Sequence, residues 1–238
     1  MHIIGSSEKW QRRAKTYVRG WRAMSGHFFL QSPTLHTRLL DIQAKVAPIQ
    51  GWVSDQAGMM LYQLARFYAP TGTVVELGSW KGRSTVWLAH AVKDRGAGRV
   101  FAVDTWKGTQ NGGPDEQTCQ AYLKGYQENQ LFEEFLQNLA NAGVAECVQP
   151  LKGDTSAASW HFPRKHPIGL LFIDADHNYE AVKRDFLSWS PMVPAGGYVV
   201  FDDVPSWPGP TRLASELPAS YRRIYMGWNI CVFQKLQG

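Results

Sequence analysis

The chain has 238 residues, of which 44% are hydrophobic and 13% aromatic, and this composition excludes a disordered or low-complexity protein. No apolar run approaches the ~18–20 residues that cross a bilayer, and the N-terminus lacks the charged-then-apolar order of a signal peptide, so we expect a cytoplasmic protein without a membrane span. The formal net charge is +5, but residues 1–50 hold eight Lys and Arg against two acidic residues. We therefore expect a basic helical extension over residues 1–50 and one folded domain over residues 51–238.

The first predicted element is a basic amphipathic helix between residues 10 and 24. Its apolar side chains recur at three- and four-residue steps and are Trp10, Ala14, Tyr17, Val18, Trp21 and Met24. Such a helix can bind RNA or an anionic membrane surface, or it can pack its aromatic side on the domain or on a second subunit. We favour packing, which predicts no nucleic-acid partner and is compatible with a homo-oligomer.

Two further helices are predicted before residue 72. One begins after Ser32 with Pro33 in its first turn, and the next runs from Ser54 to Pro70. After Gly72, short β-branched and aromatic runs alternate with helical stretches, which indicates a parallel sheet with crossover helices.

The predicted parallel strands cover residues 73–77, 99–103, 147–151, 169–173 and 198–201, with helices beginning near Gly82, Glu128, Thr155 and Asn178. Two more strand-like runs, residues 223–226 and 229–234, are separated by only two residues. That connection is too short for a parallel crossover, so the last two strands are predicted to form an antiparallel hairpin.

The most informative motif is V-V-E-L-G-S-W-K-G-R-S-T over residues 74–85, where a strand ends in an acidic residue and two glycines precede a helix. Gly78 and Gly82 would let a ligand approach the backbone and the N–H groups at the start of that helix. The dinucleotide fingerprint G-x-G-x-x-G requires a glycine where Trp80 stands, which disfavours a nicotinamide dehydrogenase. The alternative is that the two glycines only form a tight turn.

Acidic residues also follow the second and third predicted strands. Asp104 ends the second strand, where a carboxylate commonly accepts hydrogen bonds from ribose hydroxyls. Asp154 follows the third strand and could meet an adenine amino group or cap the next helix. Three consecutive strand ends therefore each offer a carboxylate to one edge of the sheet.

The largest group of polar residues follows the fourth and fifth strands, where Asp174, Asp176 and His177 precede the pair Asp202 and Asp203. Adjacent parallel strands deliver their carboxyl ends to the same edge, so these carboxylates should meet and repel unless a cation neutralises them. Oxygen ligands suit Mg²⁺, with Mn²⁺ or Ca²⁺ possible. Both members of the pair can bind one ion only if the backbone turns there; otherwise one binds and the other caps a turn.

Together these residues resemble the class I S-adenosylmethionine (SAM) dependent methyltransferases, over residues 51 to about 235. The last two acidic groups resemble the metal-dependent small-molecule O-methyltransferases, in particular the branch with macrolide-sugar enzymes and a related cephalosporin-biosynthesis protein, and catechol-type enzymes more distantly. The resemblance implies a Rossmann-like α/β fold, with a mostly parallel seven-stranded sheet that closes with an antiparallel strand.

The resemblance also implies a role for each site residue. The SAM-binding residues would be Glu76, Gly78, Ser79, Gly82, Ser84, Asp104 and Asp154, and the metal ligands would be Asp174, Asp202 and Asp203. His177 would be the general base, since neutral imidazole can accept a proton near pH 7. His177 and Asp203 stand where the catechol pattern has Lys and Asn, which favours the sugar-type branch.

The predicted function is therefore transfer of a methyl group from SAM to a hydroxyl of a small molecule, with a sugar or polyhydroxylated natural product favoured. We expect the loops that carry Trp106 and Trp207 to enclose the acceptor. The alternatives are a metal-independent methyltransferase and a protein of this fold that binds RNA or a membrane through its basic N-terminal helix.

Overall fold

The computed structural model describes residues 32–109 and 114–237, so the predicted helix at residues 10–24 lies outside the described residues. The α-helices are α1 Pro33–Val46, α2 Asp55–Gln63, α3 Arg83–Arg95, α4 Pro114–Tyr122, α5 Gln130–Asn141, α6 Thr155–Ala158, α7 Tyr179–Trp189 and α8 Pro208–Glu216, and a π-helical segment, Leu64–Tyr68, continues α2. The strands are β1 Thr73–Leu77, β2 Arg99–Asp104, β3 Val148–Lys152, β4 Leu170–Ile173, β5 Tyr198–Phe201, β6 Tyr221–Gly227 and β7 Ile230–Lys235. Within these ranges, no helix has the length and apolar character that crossing a bilayer requires.

The seven strands form one sheet in the order β3-β2-β1-β4-β5-β7-β6. The first five strands are parallel to one another, and β7 pairs antiparallel with both β5 and β6. The predicted mostly parallel sheet with an antiparallel end is thus confirmed. The chain moves outward from β1 to β3 and then returns to β4, which creates a switch point between β1 and β4 where such sheets bind ligands.

Helices cover both faces of the sheet, and its central strands are therefore buried on both sides. On β1, Val74 belongs to the hydrophobic cluster that includes side chains of α1, α2, α3 and α5, whereas Val75 and Leu77 belong to the cluster of α7 and α8. This alternation follows from the two-residue period of a strand. The sheet is therefore held from both faces, and its carboxyl edge is fixed in position.

The helix that begins after Ser32 is confirmed, and α1 contributes Leu35, Leu39 and Ile42 to the same core as the sheet. Ser32 occupies the cap position without a side-chain hydrogen bond, whereas Ser54 accepts one from the backbone N–H of Ala57. The division of the chain at residue 50 stays a prediction.

Two helices were not predicted. The Gly- and Pro-rich segments that carry Trp106 and Trp207 are expected to be loops, yet α4 begins at Pro114 and α8 at Pro208. Proline fits the first turn of a helix, where its missing N–H would have no partner. Leu213 and Ala214 of α8 are buried, so tertiary packing stabilises a helix that its sequence only weakly favours.

Candidate active site

The turn between β1 and α3 is held in a conformation that glycine favours at two positions. Gly78 has φ +85° and Gly82 has φ +88°, and a Cβ on Gly78 would lie 2.0 Å from the backbone oxygen of Asp174. Trp80 also has a positive φ of 48°, which is rare for a bulky residue. The turn therefore packs directly on the end of β4, and its conformation is fixed by its surroundings.

Asp104, at the end of β2, fixes this turn. Its Oδ2 accepts hydrogen bonds from the backbone N–H groups of Ser79 and Trp80, both at 2.8 Å, and its Oδ1 accepts one from Trp106 at 2.7 Å. The side-chain Nε1 of Trp106 donates to the backbone oxygen of Trp80 at 2.9 Å. Asp104 lines the cleft and also ties the first two strand ends together; its role in binding a ribose stays a prediction.

Glu76 lies beneath the turn rather than in the cleft wall. The carboxylate is fully buried, and its Oε2 accepts hydrogen bonds from the hydroxyls of Ser79, at 2.9 Å, and Thr85. Burial raises the pKa of Glu76 to about 7, although hydrogen bonds from Ser84, Thr85 and Ser79 oppose this shift. Ser79 and Ser84 line the cleft, so Glu76 reaches it only through its hydroxyl-bearing neighbours.

Asp154 caps α6 and also lines the cleft. The two roles that the sequence suggests, capping a helix and meeting an adenine amino group, therefore do not exclude each other. Its Oδ1 accepts hydrogen bonds from the backbone N–H of Ala157 at 2.8 Å and from the hydroxyl of Ser156 at 2.7 Å. These bonds lower the pKa of Asp154, with the backbone bond from Ala157 contributing most. The carboxylate is thus fixed at the start of α6 with a negative charge at the cleft.

The ends of β4 and β5 bring Asp174, His177 and Asp203 together, with one ligand atom from each lying within 4.8 Å of the others. His177 Nε2 lies 2.6 Å from Asp203 Oδ2. Asp203 has φ +60°, so the backbone does turn directly after Asp202. Asp203 accordingly faces the cleft, whereas Asp202 is 6% exposed and lies behind it.

Burial and repulsion among these carboxylates both favour their protonated forms. Burial, followed by the charges of Asp202, Asp203 and Glu76, raises the pKa of Asp174 well above its ordinary value. Burial and the charge of Asp203 likewise raise the pKa of Asp202 to about 8. A cation in this position would remove the repulsion, so the oxygen-rich donor set fits a hard divalent ion.

Trp207 and Asn229 complete the surroundings of His177 and Asp203. The indole ring of Trp207 stacks on the imidazole of His177 with centroids 4.2 Å apart and planes inclined by 19°. Asn229 donates from Nδ2 to Asp203 Oδ1 at 2.7 Å. The sequence places the hairpin turn at residues 227 and 228 and so does not single out Asn229, whereas the turn residues with positive φ are Trp228 and Asn229.

One cleft of about 450 Å³, within the range of a small-molecule site, is lined by Gly78, Ser79, Trp80, Ser84, Asp104, Asp154, Asp174, His177, Asp203 and Trp207. Its lining does not include Glu76, Gly82, Trp106, Asp202 or Asn229. Aromatic rings form part of its rim. Trp52 is 56% exposed and its ring lies 5.5 Å from those of Trp80 and Tyr122. The cleft therefore combines a glycine turn, carboxylates and aromatic surface, which fits a nucleoside cofactor beside a second, ring-containing molecule.

Similarity to solved structures extends over nearly the whole chain. The O-methyltransferase NovP is 17% identical, with 85% of this chain and 100% of NovP covered and a TM-score of 0.66. The O-methyltransferase TomG from Streptomyces achromogenes, solved with SAM, is 18% identical, with 99% and 100% covered and a TM-score of 0.57. The calicheamicin methyltransferase CalS11 is 18% identical, with 98% and 94% covered and a TM-score of 0.55.

Curated relatives match shorter segments. The uncharacterized protein y4gI of Sinorhizobium fredii is 30% identical over 131 residues, which are 55% of this chain and 13% of that protein. The uncharacterized protein R132 of Acanthamoeba polyphaga mimivirus is 53% identical over 36 residues, which are 15% of this chain and 16% of that protein. The chain thus spans less than one fifth of either relative.

A family model described as a methyltransferase domain matches residues 75–204, just over half of the chain. The matched region begins in β1 and ends just after β5, so it contains every strand end that lines the cleft. The chain belongs to this methyltransferase domain family and has the fold of the class I SAM-dependent methyltransferases.

Proposed function

We propose that the protein transfers a methyl group from SAM to a hydroxyl of a small molecule, with a divalent cation, preferably Mg²⁺, orienting the acceptor. The observation that carries this proposal is the meeting of Asp174, His177 and Asp203 in the same cleft as the glycine turn after β1. A site for the cofactor and a site for hydroxyl activation are then adjacent, as a direct transfer requires.

The cofactor would lie along the ends of β1, β2 and β3. In our proposal Gly78, Ser79 and Ser84 surround its amino acid portion, with Gly82 and Glu76 supporting the turn from below. Asp104 and Asp154 would accept hydrogen bonds from the ribose and adenine, since each carboxylate retains acceptor capacity beyond the bonds described above. Trp80, held at a positive φ above Asp104, would pack on the cofactor from the rim.

The proposed metal ligands at the cleft are Asp174 and Asp203, each of which offers an oxygen there. Asp202, which the resemblance implies as a third ligand, lies behind the cleft and would support the site through its contact with Asp174. When bound, SAM supplies an activated methyl group on a sulfonium, and the cation supplies positive charge that orients the acceptor hydroxyl and lowers its pKa.

His177 is the proposed general base. The imidazole would take the proton from the acceptor hydroxyl, which requires Nε2 to exchange its contact with Asp203 for one with that hydroxyl, while the methyl group bonds to the hydroxyl oxygen and leaves the sulfonium sulfur. The neighbouring carboxylate of Asp203 stabilises the imidazolium that results, and the stacked ring of Trp207 holds the imidazole in place. The products are the methyl ether and S-adenosylhomocysteine.

A hydroxylated ring is the acceptor that we favour, either a sugar or a polyhydroxylated natural product. The exposed ring of Trp52, which lines the cleft, can stack on a ring of the acceptor. The names of NovP, TomG and CalS11 support O-methylation, and a second CalS11 structure is described as a TDP-rhamnose 3'-O-methyltransferase.

A second candidate function is methyl transfer without a metal. The 2.6 Å contact between His177 and Asp203 favours it, because a carboxylate beside an imidazole can support a general base unaided. In that case the remaining carboxylates would hold water or a cationic acceptor. Binding of RNA or a membrane through residues 10–24 rests on the sequence alone and stays a prediction.

The test is methyl transfer from tritium-labelled SAM to a panel of methyl glycosides and catechols. We expect incorporation that EDTA abolishes and Mg²⁺ restores, and a fall of about 10²–10⁴-fold for His177→Asn, the range for loss of a general base. Transfer that EDTA leaves unchanged would favour the second candidate. Absence of transfer to every hydroxyl compound would contradict the proposal.

A further inference from the structure

The turn after β5 decides which way two successive carboxylates face. On a regular strand Asp202 and Asp203 would point to opposite faces, but Asp203 has φ +60°. Asp tolerates this left-handed conformation better than most residues, although it remains less favourable than an extended one. Some other contact must therefore hold the Asp203 carboxylate at the cleft.

The β6–β7 hairpin supplies that contact from 26 residues further along the chain. Its tip consists of Trp228 with φ +52° and Asn229 with φ +67°, the conformation of a two-residue turn in which Asn is favoured. Because β7 pairs with β5, the tip of the hairpin lies beside the end of β5. The sheet topology thus brings Asn229 next to Asp203.

Three contacts join the tip to the turn. Asn229 Nδ2 donates to Asp203 Oδ1 at 2.7 Å, and the backbone N–H of Val204 donates to the backbone oxygen of Asn229 at 3.1 Å. The hydroxyl of Ser206 donates to Asn229 Oδ1, which fixes the carboxamide with its NH₂ group toward Asp203. The backbone hydrogen bond from Val204 fixes the conformation of the turn after β5, whereas the carboxamide of Asn229 fixes only the orientation of the Asp203 side chain.

We propose that Asn229 is a positioning residue for the proposed metal and acceptor site, acting through the Asp203 carboxylate. Its hydrogen bond to Oδ1 fixes the carboxylate so that Oδ2 faces His177 and Asp174. This inference rests on the proposed function. Loss of a hydrogen bond to a metal ligand typically weakens metal binding about 10- to 100-fold.

Asn229→Gly tests this role because glycine accepts φ +67° and removes only the carboxamide. Asn129→Gly is the matched control, since Asn129 is an exposed residue at φ +66° before α5 and its carboxamide contacts Lys152. Ser206→Ala is a second variant. It keeps the Asn229 carboxamide as a donor to Asp203 but removes the hydrogen bond that stops the carboxamide from rotating. The probe is Mn²⁺, whose free concentration is read from its EPR signal with S-adenosylhomocysteine present.

We expect Asn229→Gly to weaken Mn²⁺ binding at least about 10-fold, Ser206→Ala to weaken it less, and Asn129→Gly to leave it unchanged. The affinity for S-adenosylhomocysteine and the melting temperature should change little in all three. Equal Mn²⁺ affinity in wild type and Asn229→Gly would overturn this inference while leaving the metal site intact. A wild type that binds no Mn²⁺ would overturn the metal site and this inference with it.

Discussion

Buried carboxyl groups gather at the strand ends of this protein. Burial raises the pKa of Glu76 to about 7 and, together with neighbouring charges, raises the pKa of both Asp174 and Asp202. Uncompensated groups of this kind reduce stability near neutral pH, and their accumulation in a cleft is typical of functional sites. The buried carboxyl groups that reduce the stability of the fold thus belong to the site at which we propose methyl transfer.

Asp185 of α7 shows the same effect away from the acidic cluster. The residue is 3% exposed, its Oδ1 accepts a hydrogen bond from the hydroxyl of Thr155 at 2.7 Å, and burial raises its pKa to about 7. A folded-state pKa above the ordinary value means that the contribution of Asp185 to stability is fully present at low pH. That contribution is lost as pH rises through about 7.

Asp185→Asn should therefore become more stable relative to wild type as pH rises, because Asn can accept the same hydrogen bond without a charge. From pH 5 to pH 8 we expect a relative gain of about 2–3 kcal/mol in the free energy of unfolding, at about 1.36 kcal/mol per pH unit. Urea denaturation at several pH values measures it. Glu133→Gln, which removes an exposed charge on α5, is the control; parallel pH curves for wild type and Asp185→Asn would refute the argument.

At the scale of elements, Arg83 joins the first turn of α3 to the segment between α1 and α2. Its guanidinium donates to the backbone oxygens of Val53 at 2.8 Å and Ile49 at 2.9 Å, and to Asp55 Oδ1 at 2.6 Å. Residues 51–53 of this segment form part of the cleft wall. The Arg83 side chain thus provides hydrogen-bond donors for backbone oxygens that follow α1. It also holds residues 51–53 of the cleft wall close to the glycine turn.

Arg83→Ala should loosen the wall. Loss of charge-assisted hydrogen bonds to otherwise unsatisfied carbonyls predicts a destabilisation of about 2–3 kcal/mol, and S-adenosylhomocysteine should bind more weakly. Chemical denaturation and calorimetry measure the two effects. Arg212→Ala, which removes an exposed side chain of α8 and its contact with Glu216, should leave cofactor affinity unchanged. Unaltered affinity in Arg83→Ala would show that the segment holds its position without this residue.

At the scale of the whole molecule, the positions of the strands along the chain could be predicted because their signals are local. Short apolar runs and the two-residue separation of β6 and β7 depend on neighbours in sequence. The carboxylates at the strand ends were also predictable. Each one directly follows a strand in sequence, and a parallel sheet brings the ends of its strands to one edge. The meeting of Asp174 and Asp203 needed only the adjacency of β4 and β5.

The features that could not be predicted from the sequence depend on contacts between residues far apart in the chain. The role of Asn229 depends on the pairing of β7 with β5, and that of Arg83 on a segment about 30 residues earlier. Helices α4 and α8 were missed because their Gly and Pro content indicates loops, and only packing decides otherwise. Buried polar groups are hardest to predict because their partners come from distant elements.

The central claim is that the carboxylates after β4 and β5 form a metal site beside a bound cofactor. It is tested most directly by calorimetric titration of Mg²⁺ into protein saturated with S-adenosylhomocysteine, comparing wild type with Asp174→Asn. We predict saturable one-site binding that weakens at least about 10-fold in the variant, because Asn keeps the size of Asp174 but removes its charge. No binding in wild type, or equal binding in both proteins, would contradict the account.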